Sequence, residues 1–183
     1  MGLINSFAVV SYMDNSIADF VERVRQEVLP DRPLRAHITV LPPRPLYVST
    51  PKAIAQCREI AGRSEAFAVR FGSVALFEDT QVVKLSVEQG VAEFKLLHDI
   101  LNTGPFEHVE DFEYVPHITL AQELAPENVA PSLEVAQRRW AEFGPTPRIR
   151  VERLTFVQQN SDGSWHNLAA LPLGSLEPAA VRR

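Results

Sequence analysis

One cysteine in 183 residues, Cys57, leaves nothing from which to build an internal disulfide framework. A lone thiol fits a reducing compartment, so the expected address is the cytoplasm. No run approaches the ~20 consecutive apolar residues that a membrane-spanning helix needs. The N-terminus lacks a basic stretch ahead of an apolar one, so no signal peptide is expected. Basic residues are not in excess: 18 Lys and Arg stand against 23 Asp and Glu, a net charge of −5. That excludes a broad electrostatic surface for long nucleic acid but leaves room for a small anion held by a few local donors. Apolar residues are not scarce. At 45% hydrophobic and 22% charged, the chain escapes the composition of disorder and reads as one domain, or two lobes sharing a core.

What is present is a short pattern written twice. Ala36-His37-Ile38-Thr39-Val40 and Pro116-His117-Ile118-Thr119-Leu120 lie 80 residues apart. Side chains at i and i+2 share one face of a strand. Each stretch therefore aims an imidazole and a hydroxyl the same way, while Ile38 with Val40, and Ile118 with Leu120, turn into a core. An imidazole moves a proton near neutral pH, and a hydroxyl binds an anion. Two such pairs facing each other suit proton-coupled chemistry at a phosphate.

The sequence around them reads as alternating strands and helices. A strand over 4–12 leads to a helix over 16–29, capped from Asp14-Asn15-Ser16 and ended by Pro30 and Pro33. The first motif strand, 35–41, runs into an extended loop at Pro42-Pro43-Arg44-Pro45. Ser49-Thr50-Pro51 starts a helix that Gly62 closes. A strand over 66–77 bends near Gly72 and turns at 78–80. The pattern then restarts: strand 81–88, helix 90–102, motif strand 114–121, a helix from Pro126 to about Phe143 whose start Pro131 delays, and strand 148–158. Asn160-Ser161-Asp162-Gly163 makes a hairpin turn, and 164–171 pairs back.

The order strand, helix, motif strand, helix, strand thus occurs twice, and self-similarity of this kind marks a duplicated unit. The expectation is an α+β fold: two mostly antiparallel sheets, helices on their outer faces, and a central cleft carrying both motifs. The domain spans 1–175, with half-repeats at about 4–78 and 80–171, and 176–183 forms a flexible tail. His37 and His117 are expected on neighbouring central strands, with both rings in one cleft.

The paired motifs in a duplicated α+β unit resemble the 2H phosphoesterase superfamily, the 2′-5′ RNA ligase-like proteins, over roughly residues 4–171. The resemblance implies a bilobal, monomeric enzyme that needs no metal or other cofactor. It implies action on 2′,3′-cyclic or 2′-5′ phosphodiesters of a small nucleotide or RNA terminus. A 2′-5′ ligase, or a nucleotide-binding module without turnover, is the alternative. Carried over by position, His37 and His117 are the acid–base pair, and Thr39 and Thr119 hold non-bridging phosphate oxygens. Many relatives carry an arginine soon after the second motif; here the chain reads Ala121-Gln122-Glu123, with Gln122 a neutral donor.

Further candidates come from position alone. Arg35 shares parity with His37 and Thr39. Arg44, beyond the first motif, is a candidate for the missing positive charge at the cleft mouth. Lys84 interrupts an apolar strand on the face of Val82 and Ser86. Aligning the half-repeats pairs that face with Phe7, Val9 and Ser11, which makes Phe7 a candidate surface for stacking a base. Tyr12, Tyr114 and Trp165 are aromatic candidates, although aromatic residues in strands mostly serve packing. His98 reads as structural, His108 as solvent-exposed, and His166 carries no clear signal. No Cys or His stands at zinc-ligand spacing near either motif, and Glu113 and Glu123 lie only at strand ends, so no metal site is expected.

Overall fold

In a computed structural model, residues 2–29, 35–145 and 147–176 are described. The elements are β1 (Leu3–Tyr12), α1 (Ser16–Val28), β2 (His37–Arg44), α2 (Thr50–Arg63), β3 (Phe67–Phe77), β4 (Val82–Gln89), α3 (Val91–Leu101), β5 (His117–Ala121), α4 (Pro126–Glu142), β6 (Ile149–Val151), β7 (Arg153–Asn160) and β8 (Trp165–Pro172), with one 3₁₀ turn at Gly104–Phe106. They follow the expected order within a few residues at most ends. Pro30, Pro33 and all but the first residue of the expected tail lie outside the described residues.

Local chemistry accounts for several of these elements. The Asn15 side chain accepts from the Ile17 amide and caps α1, whose buried stripe is Ile17, Phe20, Val21 and Val24. Pro131 does not delay α4: the helix starts at Pro126, and Pro131 sits just over one turn in, exposed, where it removes a single hydrogen bond. Nor does Gly62 end α2, which continues to Arg63. Its lack of a side chain serves a close approach instead. A Cβ there would stand 2.8 Å from Leu176 Cγ, and Leu176 N donates to Gly62 O. The prolines after the first motif do not leave the sheet either; β2 runs through Pro42 and Pro43 to Arg44. An edge strand tolerates this because its outer side needs no N–H for a ladder.

Two antiparallel four-stranded sheets result, in the orders β2-β1-β7-β8 and β5-β4-β3-β6. The α+β class is as expected, but the sheets do not coincide with the half-repeats. β3, from the first half, pairs with β4 of the second; β7, from the second half, pairs with β1 of the first. The expected strand 148–158 is broken at Glu152. Its first piece, β6, joins β3, and its second, β7, joins β1. Each half thus gives its third long strand to the other sheet. Periodicity along one strand carries no record of such a trade, because either partner buries the same apolar face.

The exchange makes β2 and β5 edge strands of different sheets rather than neighbours at a centre, and the two pack against each other. Both carry a β-bulge just after the motif. Val9 and Val10 face Leu41 and Thr39, which leaves Val40 over; Val83 and Lys84 face Ala121 and Thr119, which leaves Leu120 over. Bulges re-aim side chains and are common beside active sites. One core joins the layers, with Phe7, Ile38, Leu85, Phe94, Phe106, Ile118 and Phe156 all fully buried in it. Among the described residues no helix is long and apolar enough to cross a membrane.

Candidate functional site

The two histidines adopt the same pose. His37 Nδ1–H donates to Arg35 O at 2.8 Å, and His117 Nδ1–H donates to Val115 O at 2.7 Å. Each ring is tied to the carbonyl two residues earlier, which fixes the tautomer and leaves Nε2 for chemistry. Thr119 Oγ1 lies 3.3 Å from His117 Nε2. Each imidazole meets an aromatic edge: Tyr12 at 6.0 Å from His37, and Phe77 at 4.9 Å from His117, centroid to centroid. Each aromatic ring in turn carries a cation, with Arg35 Cζ 4.3 Å above Tyr12 and Lys84 Nζ 3.4 Å above Phe77.

Both imidazoles are held below the ordinary histidine range. For His37 burial is the main cause, opposed by its bond to Arg35 and reinforced by the charge of Arg25. For His117 burial again leads, opposed by the bond to Val115 and reinforced by the charges of Lys84 and His37. Desolvation and neighbouring positive charge both disfavour the imidazolium.

Two cavities flank the pair. The one beside His117, about 520 Å³, is lined by Thr39, Phe77, Glu78, Asp79, Glu110, Asp111, Phe112, Glu113, Thr119 and Gln122 among others. The one beside His37, about 550 Å³, includes Val10, Tyr12, Arg25, Arg35, Thr39, Thr119, Gln122, Trp165 and Asn167. Thr39, Thr119 and Gln122 line both, so the cavities meet at these three residues, with one imidazole to either side. Their electrostatics differ. The His117 cavity is lined by five carboxylates and the His37 cavity by two guanidiniums and no carboxylate.

Thr39, Thr119 and Gln122 line both cavities, whereas the two imidazoles, expected in one cleft, line one each: His117 the first and His37 the second. Lys84 joins them, directly opposite Thr119 on β4. Arg44 does not. It is 3% exposed and points into the protein, where it donates to Pro42 O, Asn102 Oδ1 and Phe106 O and pairs with Glu110. Its strand partner is Phe7, a core residue, so the bulge at Val40 and the prolines carry it onto the buried face. Phe7 is not a stacking surface either. It is fully buried and stacked on Phe156 at 5.1 Å. The error is one of parity: Val10 faces Thr39 as Lys84 faces Thr119, so the cleft face of β1 is Ala8, Val10 and Tyr12. A shift of one residue exchanges the faces of a strand.

Among the other aromatic candidates, Tyr12 and Trp165 line the His37 cavity, and Tyr12 Oη donates to Asn167 Oδ1. His98 is structural: it is buried, and its Nδ1–H donates to Val40 O, the carbonyl of the bulge. His108 and His166 are exposed. Glu113 pairs with Lys95. Among the described residues no group of three or more His, Cys, Asp or Glu side chains gathers as a metal site would require. Sequence reasoning missed Arg25. It is 7% exposed on α1, Nη2 donates to Thr119 O at 2.6 Å, and burial lowers its pKa to about 10. The available signal was its place on the apolar stripe, one residue after Val24.

A family model described as the 2′-5′ RNA ligase superfamily matches residues 13–163. A provisionally named phosphoesterase of Halalkalibacterium halodurans is 24% identical over 177 residues, covering 94% of this chain and 99% of that protein. Escherichia coli LigT solved with phosphate superposes with a TM-score of 0.60 at 18% identity, over 94% of this chain and 99% of that one. LigT solved with 3′-AMP gives 0.59 at 17% identity, over 92% and 98%.

Proposed function

The chain belongs to the 2′-5′ RNA ligase superfamily, and we propose that it is a metal-independent phosphodiesterase. Its substrate is a 2′,3′-cyclic phosphate or a 2′-5′ diester on a nucleotide or RNA terminus. One histidine, neutral, takes a proton from water through Nε2 as the oxygen attacks phosphorus. The other, cationic, gives its Nε2 proton to the departing ribose oxygen as that P–O bond breaks. The pair ends with its proton on the opposite ring and its total charge unchanged. Histidine serves both roles because its pKa lies near operating pH. The Thr39 and Thr119 hydroxyls and the Lys84 ammonium hold the non-bridging oxygens, where fixed donors in a dry site are worth several kcal/mol.

The observation that carries this reading is the shared pose: two imidazoles, each tied by Nδ1–H to the carbonyl two residues back, beside threonines that line both cavities. LigT, a neighbour in fold, has been solved with phosphate and with 3′-AMP, which supports a nucleotide as ligand. The unequal cavities favour a small or terminal substrate. The aromatic, guanidinium-lined side suits a nucleoside and its anionic groups, and on the other side Glu78, Asp79 and Asp111 disfavour a continuing phosphate backbone, Glu110 and Glu113 being paired with Arg44 and Lys95. That disfavours ligation of two long RNA ends. The test is turnover of 2′,3′-cyclic mononucleotides by the wild type, with and without EDTA, and by His37→Ala. Activity is expected to survive chelation and to collapse in the variant. Loss to EDTA with recovery on a divalent ion contradicts the mechanism.

A further inference from the structure

An edge strand has no ladder on its outer side to fix its peptide planes. β2 and β5 are both edge strands, yet the carbonyls of both motif threonines accept hydrogen bonds from outside their sheets. Tyr114 Oη donates to Thr39 O at 2.9 Å, and Arg25 Nη2 donates to Thr119 O at 2.6 Å. The bonds are traded crosswise. Tyr114 stands three residues before His117 and reaches the first motif. Arg25 stands on α1, ahead of the first motif, and reaches the second. Neither donor is loosely held. The Tyr114 ring stacks on His98 at 4.2 Å with planes 6° apart, and His98 itself holds the bulge carbonyl of Val40. Arg25 is buried with the apolar stripe of α1, which packs on β5. Burial raises the Tyr114 pKa, so its hydroxyl keeps the proton it donates.

We propose that Tyr114 and Arg25 are reciprocal positioning residues. Each fixes the peptide plane of the other half's motif threonine, and so sets where that hydroxyl stands and how far apart the two motif strands lie. Neither needs to touch substrate. The duplicated halves thereby lock each other's site, and the catalytic gap is set by two hydrogen bonds rather than by sheet pairing. This inference rests on the phosphodiesterase reading of the site.

A double-mutant cycle separates positioning from simple structural support. Tyr114→Phe removes only the hydroxyl. In the wild-type background it is expected to lower kcat/KM for a 2′,3′-cyclic mononucleotide about 10-fold, mostly through kcat, a loss equivalent to one hydrogen bond of roughly 1.4 kcal/mol. In a Thr39→Ala background the same change is expected to cost almost nothing, because the hydroxyl it positions is gone. The melting temperature is expected to drop equally in both backgrounds. Arg25→Met is expected to behave likewise against Thr119→Ala, with Arg25→Lys recovering part of the loss. Binding of 2′-AMP by calorimetry supplies a readout that does not require turnover. Equal losses of kcat/KM or affinity with and without the threonine, or no loss at all, overturn the proposal while leaving the enzyme reading intact. A wild-type protein that neither turns over cyclic nucleotides nor binds 2′-AMP overturns both.

Discussion

Lys84 and Thr119 stand directly opposite each other on β4 and β5, and the Lys84 charge helps to hold the His117 pKa down. In the proposed mechanism one cation therefore serves two ends: it attracts the phosphate and it disfavours the imidazolium. Lys84→Met is expected to lower kcat/KM for a cyclic nucleotide roughly 10-fold, the scale of one lost charge-assisted hydrogen bond. It is also expected to move the pH profile of the histidine pair toward higher pH, since a repelling charge has gone. Steady-state kinetics across pH measure both. A weaker enzyme with an unmoved profile separates Lys84 from His117.

Arg44→Met is expected to damage the fold and spare the chemistry. The guanidinium holds Glu110, the Asn102 side chain and the Phe106 carbonyl against β2. Arg44 is buried but Glu110 is partly exposed, so the loss is expected to fall below the about 3–5 kcal/mol of a fully buried pair. Denaturant unfolding is expected to show that loss, while KM of the protein that remains folded stays near wild type. A selective rise in KM returns Arg44 to the substrate.

Phe7 and Trp165 are expected to part in the same way. Phe7→Ala opens the core beside Phe106 and Phe156 and is expected to cost about 3–5 kcal/mol of stability. Trp165 is only half-buried and lines the His37 cavity, so Trp165→Ala is expected to change the melting temperature little. If a base stacks there, KM rises by the equivalent of ~1–3 kcal/mol. An unchanged KM removes Trp165 from the binding surface.

What the sequence disclosed and withheld follows from the reach of its signals. The motifs were legible because parity over three residues is local and a bulge that follows them does not disturb it. Arg44 was misplaced because it was read as part of a loop, whereas β2 continues beyond the bulge at Val40; parity failed at Phe7, where it was carried between half-repeats by aligning their strand starts, an odd number of residues out of register. The duplication was legible as an order of elements. The exchange of β3 and β7 was not, since both strands are apolar on the side they bury in either sheet. Arg25 escaped notice, and Tyr114 was singled out only as an aromatic ring, because each acts on a residue more than 70 positions away, through a main-chain oxygen that carries no sequence signature.

The most exacting expectation concerns pH. The working state needs one neutral and one cationic imidazole, so kcat/KM against pH is expected to be bell-shaped, with limbs that belong to the pair jointly. Both rings are depressed below the ordinary value of about 6.5, His37 and His117 alike, chiefly by burial. In the free protein at pH 7 both are then mostly neutral. As pH falls one ring gains its proton and activity rises; as it falls further both are charged and activity drops. The optimum in kcat/KM is therefore expected on the acid side of about 6.5. A bound phosphodiester brings a negative charge that favours the imidazolium, so the kcat profile is expected to lie at higher pH than that of kcat/KM. Removing either imidazole is expected to cost roughly 10²–10⁴-fold. Removing both should cost little more, because groups that act as a unit are not additive. Thr39→Ala or Thr119→Ala should cost less and keep the bell, since a lost hydroxyl weakens charge stabilisation without touching the proton relay. The single variants and the double-histidine variant, assayed on one cyclic nucleotide across pH, check every step. An alkaline optimum in kcat/KM, or a His117→Ala protein with near wild-type turnover, sinks the two-histidine mechanism.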